Sequence, residues 1–291
     1  MENTCEKEGL RLRKIGFIGT GSMGRILIEA ILESKAALPT QLTIHNRTIE
    51  KACAIAEQYK GISVSASLPL LIKKCDWIFL CVKPLQMIPI LNEYKEYLTP
   101  EKTLISITSP LSLDQLEGIV NCRTVVRFIP SIVNRAGCGP SLITYGTSSQ
   151  EDQKKSLREF LSCFSSPLEI DESITRVSSD IASCGPAFIS FLVEKLIEAA
   201  VAETNITKEE ATYIAENMLI GYGALLQEKL FTLSTLQKRV TVPGGVTGEG
   251  LKVLNEETGD MFHKLFVKTH EKFDEDKYFI QKQLEKEQKG S

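Results

Sequence analysis

The amino-acid sequence predicts an α/β fold in which a doubly wound sheet is followed by an all-helical domain. Short apolar runs alternate with helical patterns over the N-terminal half, which is typical of a parallel sheet covered by helices. Strand patterns end at about residue 171, and long helical patterns follow. A Gly-x-Gly-x-x-Gly motif stands between the first predicted strand and the first predicted helix.

Short apolar runs bounded by polar turns mark the strands of the N-terminal half. Such runs are typical of strands that are buried on both faces of a parallel sheet. The stretches "GSMGRILIEAILESK" and "TIEKACAIAEQY" have apolar residues at helical spacing, and Thr48 is expected to cap the second helix. The predicted strands cover residues 14–19, 41–46, 62–65, 76–82, 103–108, 124–130 and 141–146.

The C-terminal part contains only helical patterns, the longest over residues 179–204 and 208–229. Two of these helices are apolar around much of their circumference, which requires burial in a large core or against another subunit. Because roughly 120 residues bury too little surface alone, we expect a homodimer that shares its core. The charged segment 271–291 is expected to be a solvated and fraying helix.

These patterns divide the chain into a flexible N-terminal tail (1–13), a sheet domain (14–171) and a helical domain with a charged C-terminal tail (172–291). The N-terminal tail is charged and has no apolar core, so we expect no signal peptide and a cytoplasmic protein. The longest apolar stretch, near 186–202, carries three charged residues, so we expect no membrane-spanning helix and no membrane partner.

Charge and metal-ligand content argue against two further classes of function. The formal net charge of −3 gives no indication of a nucleic-acid partner. The three histidines, His45, His263 and His270, lack the clustering with cysteines or acids that a zinc site needs, so no metal is expected. The expected partner is a small-molecule substrate.

The motif Gly19-Thr20-Gly21-Ser22-Met23-Gly24 predicts that the sheet domain binds a dinucleotide. Gly19 permits a tight turn, Gly21 lets the backbone approach a pyrophosphate, and Gly24 lets the helix pack close to the strand. The helix N-terminus supplies free N–H groups and partial positive charge. The alternative is an ordinary glycine-rich turn, but the position between strand and helix favours a Rossmann-type domain.

Three residues after the second predicted strand indicate which dinucleotide is bound. A site for NAD usually has an acid here that accepts a hydrogen bond from the ribose, whereas this chain has Asn46, Arg47 and Thr48. Arg47 can pair with a 2′-phosphate, and Asn46 and Thr48 can donate hydrogen bonds. We therefore expect NADP(H) to be preferred over NAD(H). The alternative is that Arg47 is a solvated loop residue and Thr48 only a helix cap.

Val82, Lys83 and Pro84 come at the end of the strongly apolar strand predicted at 76–82. Doubly wound sheets bind their ligands at the carboxyl ends of strands. We expect Pro84 to end the strand and to form a wall of the cofactor site. The alternative is a simple strand exit with no ligand.

The stretches "IGFIGTGSMG", "NRT", "CVKP", "GPAF" and "PGGVTGEGL" together resemble the pyrroline-5-carboxylate reductase family, in that order, over about residues 13–257. Within the family, the chain looks most like the late-competence ComER-type branch. The resemblance implies a Rossmann-type domain and a helical dimerisation domain that interlocks with its twin in a homodimer or higher oligomer. It also implies reduction of a small cyclic imine carboxylate by NADPH, with 1-pyrroline-5-carboxylate to L-proline as the named reaction.

The resemblance places the substrate on the loop Gly244-Gly245-Val246-Thr247. It implies that this loop holds the carboxylate of the imine, and that the hydroxyl of Thr247 bonds the imine nitrogen and relays a proton as the catalytic group. Glycines let backbone N–H groups crowd around an anion at a helix start, so we expect free N–H groups at Gly244 and Gly245. From the residues alone, a plain helix start with Thr247 as a cap is favoured, and only the resemblance points to a substrate loop.

The chain departs from the family pattern mainly in the substrate half. The family's serine before the proline is Val242 here, and its asparagine three residues earlier falls on Arg239. Further changes fall at 182–187, 129–134 and 108–110. This pattern predicts retained NADP(H) binding with an altered imine substrate. Two alternatives stay open: a non-catalytic NADP(H)-binding regulator, and a relative of the β-hydroxyacid dehydrogenases, whose lysine base would fall near Lys195 but without the expected glycine spacing.

Overall fold

The computed structural model describes residues 13–290, with side chains up to residue 287. Contacts divide the chain into two compact units, Met1–Cys184 with Thr269–Ser291 and Gly185–Lys268. The predicted flexible tail lies outside the described residues except for Arg13. The guanidinium carbon of Arg13 lies 4.8 Å from the centre of the Trp77 ring, so the chain is already held at this residue.

A mostly parallel sheet forms the centre of the first unit, as the sequence predicts. Within the described residues it has eight strands in the order β3-β2-β1-β4-β5-β6-β7-β8. The pair β6–β7 is antiparallel, because the connection of residues 130–139 is too short for a helical crossover. The strands are β1 (Ile15–Ile18), β2 (Leu42–His45), β3 (Ser63–Val64), β4 (Trp77–Leu80), β5 (Thr103–Ser106), β6 (Thr124–Ile129), β7 (Pro140–Tyr145) and β8 (Ser166–Glu169).

Helices cover both faces of this sheet and create two apolar cores. On one face Phe17 stacks on Phe79 at 4.8 Å between ring centres, and Phe128 meets Phe79 edge-on at 6.5 Å. The helices α1, α2 and α6 close this core, whereas α3, α4 and α5 close the other. Their bounds are α1 (Ser22–Glu33), α2 (Ile49–Gln58), α3 (Leu68–Lys74), α4 (Pro84–Tyr94), α5 (Leu113–Ile119), α6 (Glu151–Leu161) and the short α7 (Thr175–Ser179).

A π-helical turn, Asp180–Cys184, joins α7 to the helical unit. The carboxylate of Asp180 is fully buried and accepts hydrogen bonds from Arg176 and from the hydroxyl of Thr269, both at 2.7 Å. Ala182 packs in a small core with strands β6 and β7. These contacts keep residues 172–184 with the sheet, so the contact division falls later than the domain boundary that the sequence predicts at 171.

The second unit is entirely helical in the described chain and leaves most of its large apolar side chains exposed. Phe191, Tyr213 and Ile220 are 56%, 69% and 71% exposed, whereas Ile197 is buried. Exposed apolar side chains on neighbouring helices are typical of a surface that another protein covers. The helices are α8 (Gly185–Glu203), α9 (Lys208–Gln227), α10 (Leu233–Val240), α11 (Val246–Thr258) and α12 (Met261–Gly290), the last of which continues into the first unit.

The charged C-terminal tail differs from its prediction as a solvated, fraying helix. It forms the last turns of α12, and Ile280 is 1% exposed within the core that α4 and α5 also line. Leu284, one turn later, is partly buried against the same core. The many charges of this segment predict solvation, but the apolar pair at a spacing of four residues gives the helix one buried face. None of the helices within residues 13–290 combines the length and apolarity needed to cross a bilayer.

Glu29 ties α1 to the turn that follows β6. Its side chain is 11% exposed and pairs with Arg25 and Arg135, both at 2.8 Å. Burial acts to raise the pKa of Glu29, but hydrogen bonds and charges from the two arginines outweigh it, so the pKa lies below its ordinary 4.5. A carboxylate with a lowered pKa stabilises the fold fully above that ordinary value and loses its contribution as the pH falls through the folded pKa.

We expect Glu29→Gln to lower the free energy of unfolding by about 1.5–3 kcal/mol at neutral pH, the range of hydrogen bonds to charged groups. The difference from the wild type should shrink as the pH falls below 4.5. Urea unfolding across this pH range measures it. As a control, Glu151→Gln removes a carboxylate that is 87% exposed in its pair with Lys154, and should change little. A Glu29 effect that does not depend on pH would contradict the assignment.

Candidate functional site

The loops that follow β1 and β4 lie side by side at the carboxyl edge of the sheet. The N–H of Cys81 donates to the carbonyl of Ile18 at 2.8 Å, which holds the two strand ends together. From here α1 leads back to β2 on one side and α4 leads to β5 on the other. A point where the strand order reverses in this way creates the crevice in which doubly wound sheets bind ligands.

The three glycines of the motif have three different surroundings. Gly19 has a φ of +99°, and a Cβ atom there would lie 2.6 Å from the carbonyl oxygen of Cys81. A Cβ atom on Gly24 would lie 2.5 Å from the carbonyl oxygen of Gly19. At Gly21 a Cβ atom would meet nothing within 4 Å. Gly19 and Gly24 are therefore required by packing, whereas Gly21 borders open space that a ligand can occupy.

Unpaired polar groups line the same loop. Helix α1 begins at Ser22, and its N-cap residue Gly21 provides no side-chain cap for the first N–H groups, which include that of Met23. The hydroxyl of Thr20 is buried and has no hydrogen-bond partner among the described residues. Open helix N–H groups with an adjacent buried hydroxyl suit an anionic pyrophosphate. The loop therefore fits a dinucleotide on geometry as well as on sequence.

Asn46 supports the glycine loop. Its side-chain oxygen accepts from the N–H of Thr20 at 3.1 Å, and its amide donates to the carbonyl of Thr48 at 2.8 Å. Thr48 is the N-cap residue of α2, as expected, but its hydroxyl makes no capping bond. Arg47 is exposed and has no hydrogen bond or ion pair with other described residues. Its guanidinium is therefore available to a ligand phosphate.

Helix α4 begins directly after Val82 and Lys83. Strand β4 ends at Leu80, Lys83 is the N-cap of α4 and Pro84 is its first residue. The expectation that Pro84 ends the strand is wrong, because the fixed φ of proline and its missing N–H suit the first position of a helix. Val82 still borders the motif: its Cγ1 atom lies 2.9 Å from the Cβ position of Gly19.

The predicted substrate loop lies in the second unit and begins α11. Gly244 has a φ of +73°, and Gly245 is the N-cap residue. The N–H of Gly245 donates to the carbonyl of Val242 at 3.0 Å, so it is not free, contrary to the sequence expectation. The N–H groups of Gly244, Val246 and Thr247 have no acceptor among the described residues. The prediction therefore holds for one glycine, and the helix start supplies the other open donors.

Val246 and Thr247 occupy the first two positions of α11. Val246 is 89% exposed, and Thr247 is half-buried. The hydroxyl of Thr247 makes no hydrogen bond with the described residues, so the alternative role as a helix cap does not apply to it. The side chain is free to bond a ligand.

Asn134 is a structural residue of the turn after β6 to which the sequence assigned no role. It is completely buried in the turn after β6, accepts from the N–H of Ser131 at 2.8 Å and donates to the carbonyl of Cys138 at 2.9 Å. An asparagine close to Gly137 and Gly139 is typical of a side chain that replaces backbone bonds in a turn. This pattern in the sequence could have identified Asn134 as a turn-stabilising residue.

Comparison with known proteins matches both parts of the chain to family models. Residues 172–276 match the family described as "Pyrroline-5-carboxylate reductase dimerisation". Residues 14–110 match the family described as "NADP oxidoreductase coenzyme F420-dependent". The chain is also similar in fold to the Plasmodium falciparum pyrroline carboxylate reductase with NADP bound, with a TM-score of 0.78, 24% identity, and coverage of 93% of this chain and 99% of that one.

Two relatives from Bacillus subtilis (strain 168) match along nearly their whole length. ComE operon protein 4 is 52% identical over 271 residues, which covers 93% of this chain and 99% of that protein. Pyrroline-5-carboxylate reductase 3 is 31% identical over 264 residues, which covers 90% of this chain and 96% of that protein. The chain therefore belongs to the pyrroline-5-carboxylate reductase family and fits its ComER-type branch.

Proposed function

We propose that the protein is an NADPH-dependent reductase of a small cyclic imine carboxylate, converting 1-pyrroline-5-carboxylate to L-proline. The observation that carries the proposal is the 31% identity to Pyrroline-5-carboxylate reductase 3 over 90% of this chain. The geometry supports it, because both loops that the reaction needs present open hydrogen-bond donors. These are the start of α1 for the dinucleotide and the start of α11 for the carboxylate.

Reduction of the imine adds a hydride to carbon and a proton to nitrogen. NADPH, when bound, supplies the hydride. The N–H groups of Gly244 and Val246 hold the substrate carboxylate, and the partial positive charge at the start of α11 favours it. The hydroxyl of Thr247 bonds the ring nitrogen and relays a proton to it, taking one back from solvent water, so that negative charge does not build up on the nitrogen as the hydride adds to carbon.

Following NADPH absorbance in the presence of pyrroline and piperideine carboxylates tests this function. We expect turnover with at least one cyclic imine that carries a carboxylate next to its C=N bond, and none with the same ring lacking the carboxylate. Tight NADPH binding without turnover on the whole panel would reject the reductase function and favour a non-catalytic NADP(H)-binding regulator. We keep this second candidate because the relative with 52% identity, ComE operon protein 4, is named for an operon and not for an enzyme activity.

Lys195 argues against the chemistry of the β-hydroxyacid dehydrogenases. Its ammonium group pairs with Glu198 at 2.6 Å, and both side chains are more than half exposed. A lysine that acts as a general base needs a desolvated site. Within the single chain Lys195 lies in no such site, because it is exposed and ion-paired with Glu198.

Arg47 is the residue that we propose to select NADP(H) over NAD(H). We expect Arg47→Gln to weaken NADPH binding about 10- to 100-fold, because a charge-assisted pair with the 2′-phosphate is lost. NADH binding should stay within about twofold, since that cofactor has no 2′-phosphate. Fluorescence titration of both cofactors measures the ratio. Equal losses for NADPH and NADH would remove Arg47 from the selectivity role.

We also propose that two copies of the chain form an interlocked homodimer through the helical unit. The match to a dimerisation family over residues 172–276 supports this. The exposed apolar side chains of α8 and α9 support it independently, because a second copy would bury them. Light scattering of the purified protein should give at least twice the mass of 32.3 kDa.

A further inference from the structure

Helix α4 has an internal defect. Pro89 lies inside the helix, in its second turn. Proline has no N–H, so the carbonyl of Leu85, four residues earlier, loses the donor that a regular helix would provide. A helix bends easily at such a point, because its regular ladder of hydrogen bonds is interrupted there.

Helix α12 supplies the missing donor. The side-chain amide of Gln283 donates to the carbonyl oxygen of Leu85 at 3.0 Å. This bond joins residues that are 198 positions apart in the chain, so it is a tertiary contact. The last turns of α12 therefore complete the hydrogen bonding of α4 at the residue where proline interrupts it.

Residues of α12 one turn before and one turn after Gln283 also contact α4. Ile280, one turn before, is 1% exposed and packs in the core that contains Met87 and Leu91 of α4. Glu287, one turn after, accepts a hydrogen bond from Asn92. The spacing of 280, 283 and 287 places all three on one helix face.

The first turn of α4 is also a wall of the candidate cofactor crevice. Its first residue, Pro84, follows directly on Val82 and Lys83. Val82 is in contact range of the Gly19 position, with its Cγ1 atom 2.9 Å from where a Cβ atom would lie. A shift of the first turn of α4 therefore shifts a group next to the glycine motif.

We propose that Gln283 is a positioning residue for the dinucleotide site: by bonding the carbonyl that Pro89 leaves open, it fixes the first turn of α4 and with it the Val82–Lys83–Pro84 wall. The proposal rests on the cofactor part of the proposed function. It assigns the charged C-terminal tail a role in cofactor binding without any contact to the cofactor.

A double-mutant cycle between Gln283 and Pro89 tests it. We expect Gln283→Leu to raise the Kd and the KM for NADPH about three- to tenfold, the range that one net hydrogen bond covers, with kcat unchanged. Pro89→Ala restores an N–H at position 89, so that Leu85 regains a donor within its own helix. In the Pro89→Ala background, Gln283→Leu should therefore leave NADPH affinity unchanged. An equal loss in both backgrounds would overturn the proposal.

Gln281→Leu is the matched control. Gln281 lies two residues away on α12, and its side-chain oxygen accepts from Gln115 of α5 at 3.1 Å, away from α4. The same substitution there should not change NADPH affinity. If Gln281→Leu and Gln283→Leu weaken binding equally, a general loosening of α12 explains the result and the proposal is wrong.

Hydrogen exchange on the cofactor-free protein separates this inference from the proposed function. Gln283→Leu should raise amide exchange in the first two turns of α4, whether or not the protein turns over any imine. If amide exchange in α4 does not change in Gln283→Leu, the bond from Gln283 does not stabilise the first turns of α4 and the proposal is overturned. Faster exchange with no NADPH binding by the wild type would instead reject the cofactor site, and with it the positioning role, while confirming the bond itself.

Discussion

Gly21→Val is expected to weaken NADPH binding by at least about 100-fold while leaving the fold intact. The reason is that a side chain at this position meets nothing within 4 Å and so enters the open space beside the start of α1. A pyrophosphate there would lose several charge-assisted hydrogen bonds, each worth about 1.5–3 kcal/mol. The backbone does not oppose the change, because Gly21 has an ordinary φ of −67°. Fluorescence titration measures the affinity for NADPH, and thermal unfolding measures the stability of the fold.

Gly19→Val is the matched comparison within the same motif. Its φ of +99° is unfavourable for any other residue, and its Cβ would lie 2.6 Å from the carbonyl oxygen of Cys81. This variant should therefore lose thermal stability as well as NADPH binding. If Gly21→Val binds NADPH with wild-type affinity, the dinucleotide does not approach the motif, and the assignment of this loop fails.

The fold was predictable because most strands of the sheet are buried, and a buried strand appears in the sequence as a short run of apolar residues. Strands β1, β4 and β5 are buried at every residue, so their apolar character marks them without any tertiary information. Strand β8 gives no such signal. It lies at the edge of the sheet, three of its four residues are exposed, and Pro167 interrupts it. The antiparallel placement of β7 depends on the length of a connection rather than on the strand itself.

The glycine motif was predictable for a related reason: the role of each glycine is set by the turn in which it stands. Features that depend on how separate parts of the chain fold against each other could not be predicted from the sequence. The bond that occupies the N–H of Gly245 depends on how one turn folds back on Val242. The docking of Ile280 against α4 joins residues almost 200 positions apart, and the charges around Ile280 concealed it. Periodicity within one helix cannot show which surface its buried face meets.

Thr247→Val is expected to lower kcat for imine reduction about 100-fold or more, because general acid–base assistance contributes about 10²–10⁴ to such reactions. Valine keeps the shape of threonine and removes only the hydroxyl. Thr247 is the second residue of α11, and its hydroxyl makes no hydrogen bond with the described residues. Removing the hydroxyl therefore breaks no contact of the fold. NADPH affinity and thermal stability should therefore not change, and the loss should appear in kcat in steady-state assays.

Thr258→Val, in the last position of the same helix, controls for the loss of a threonine hydroxyl. Its hydroxyl donates to the carbonyl of Leu254 at 2.5 Å, within α11, and lies at the opposite end from the glycines. This variant should keep the wild-type kcat. If Thr247→Val also keeps it, the proton reaches the imine nitrogen from water or from another side chain. The start of α11 would then bind the carboxylate without taking part in the chemistry, because its remaining open groups are backbone amides that do not give up their protons.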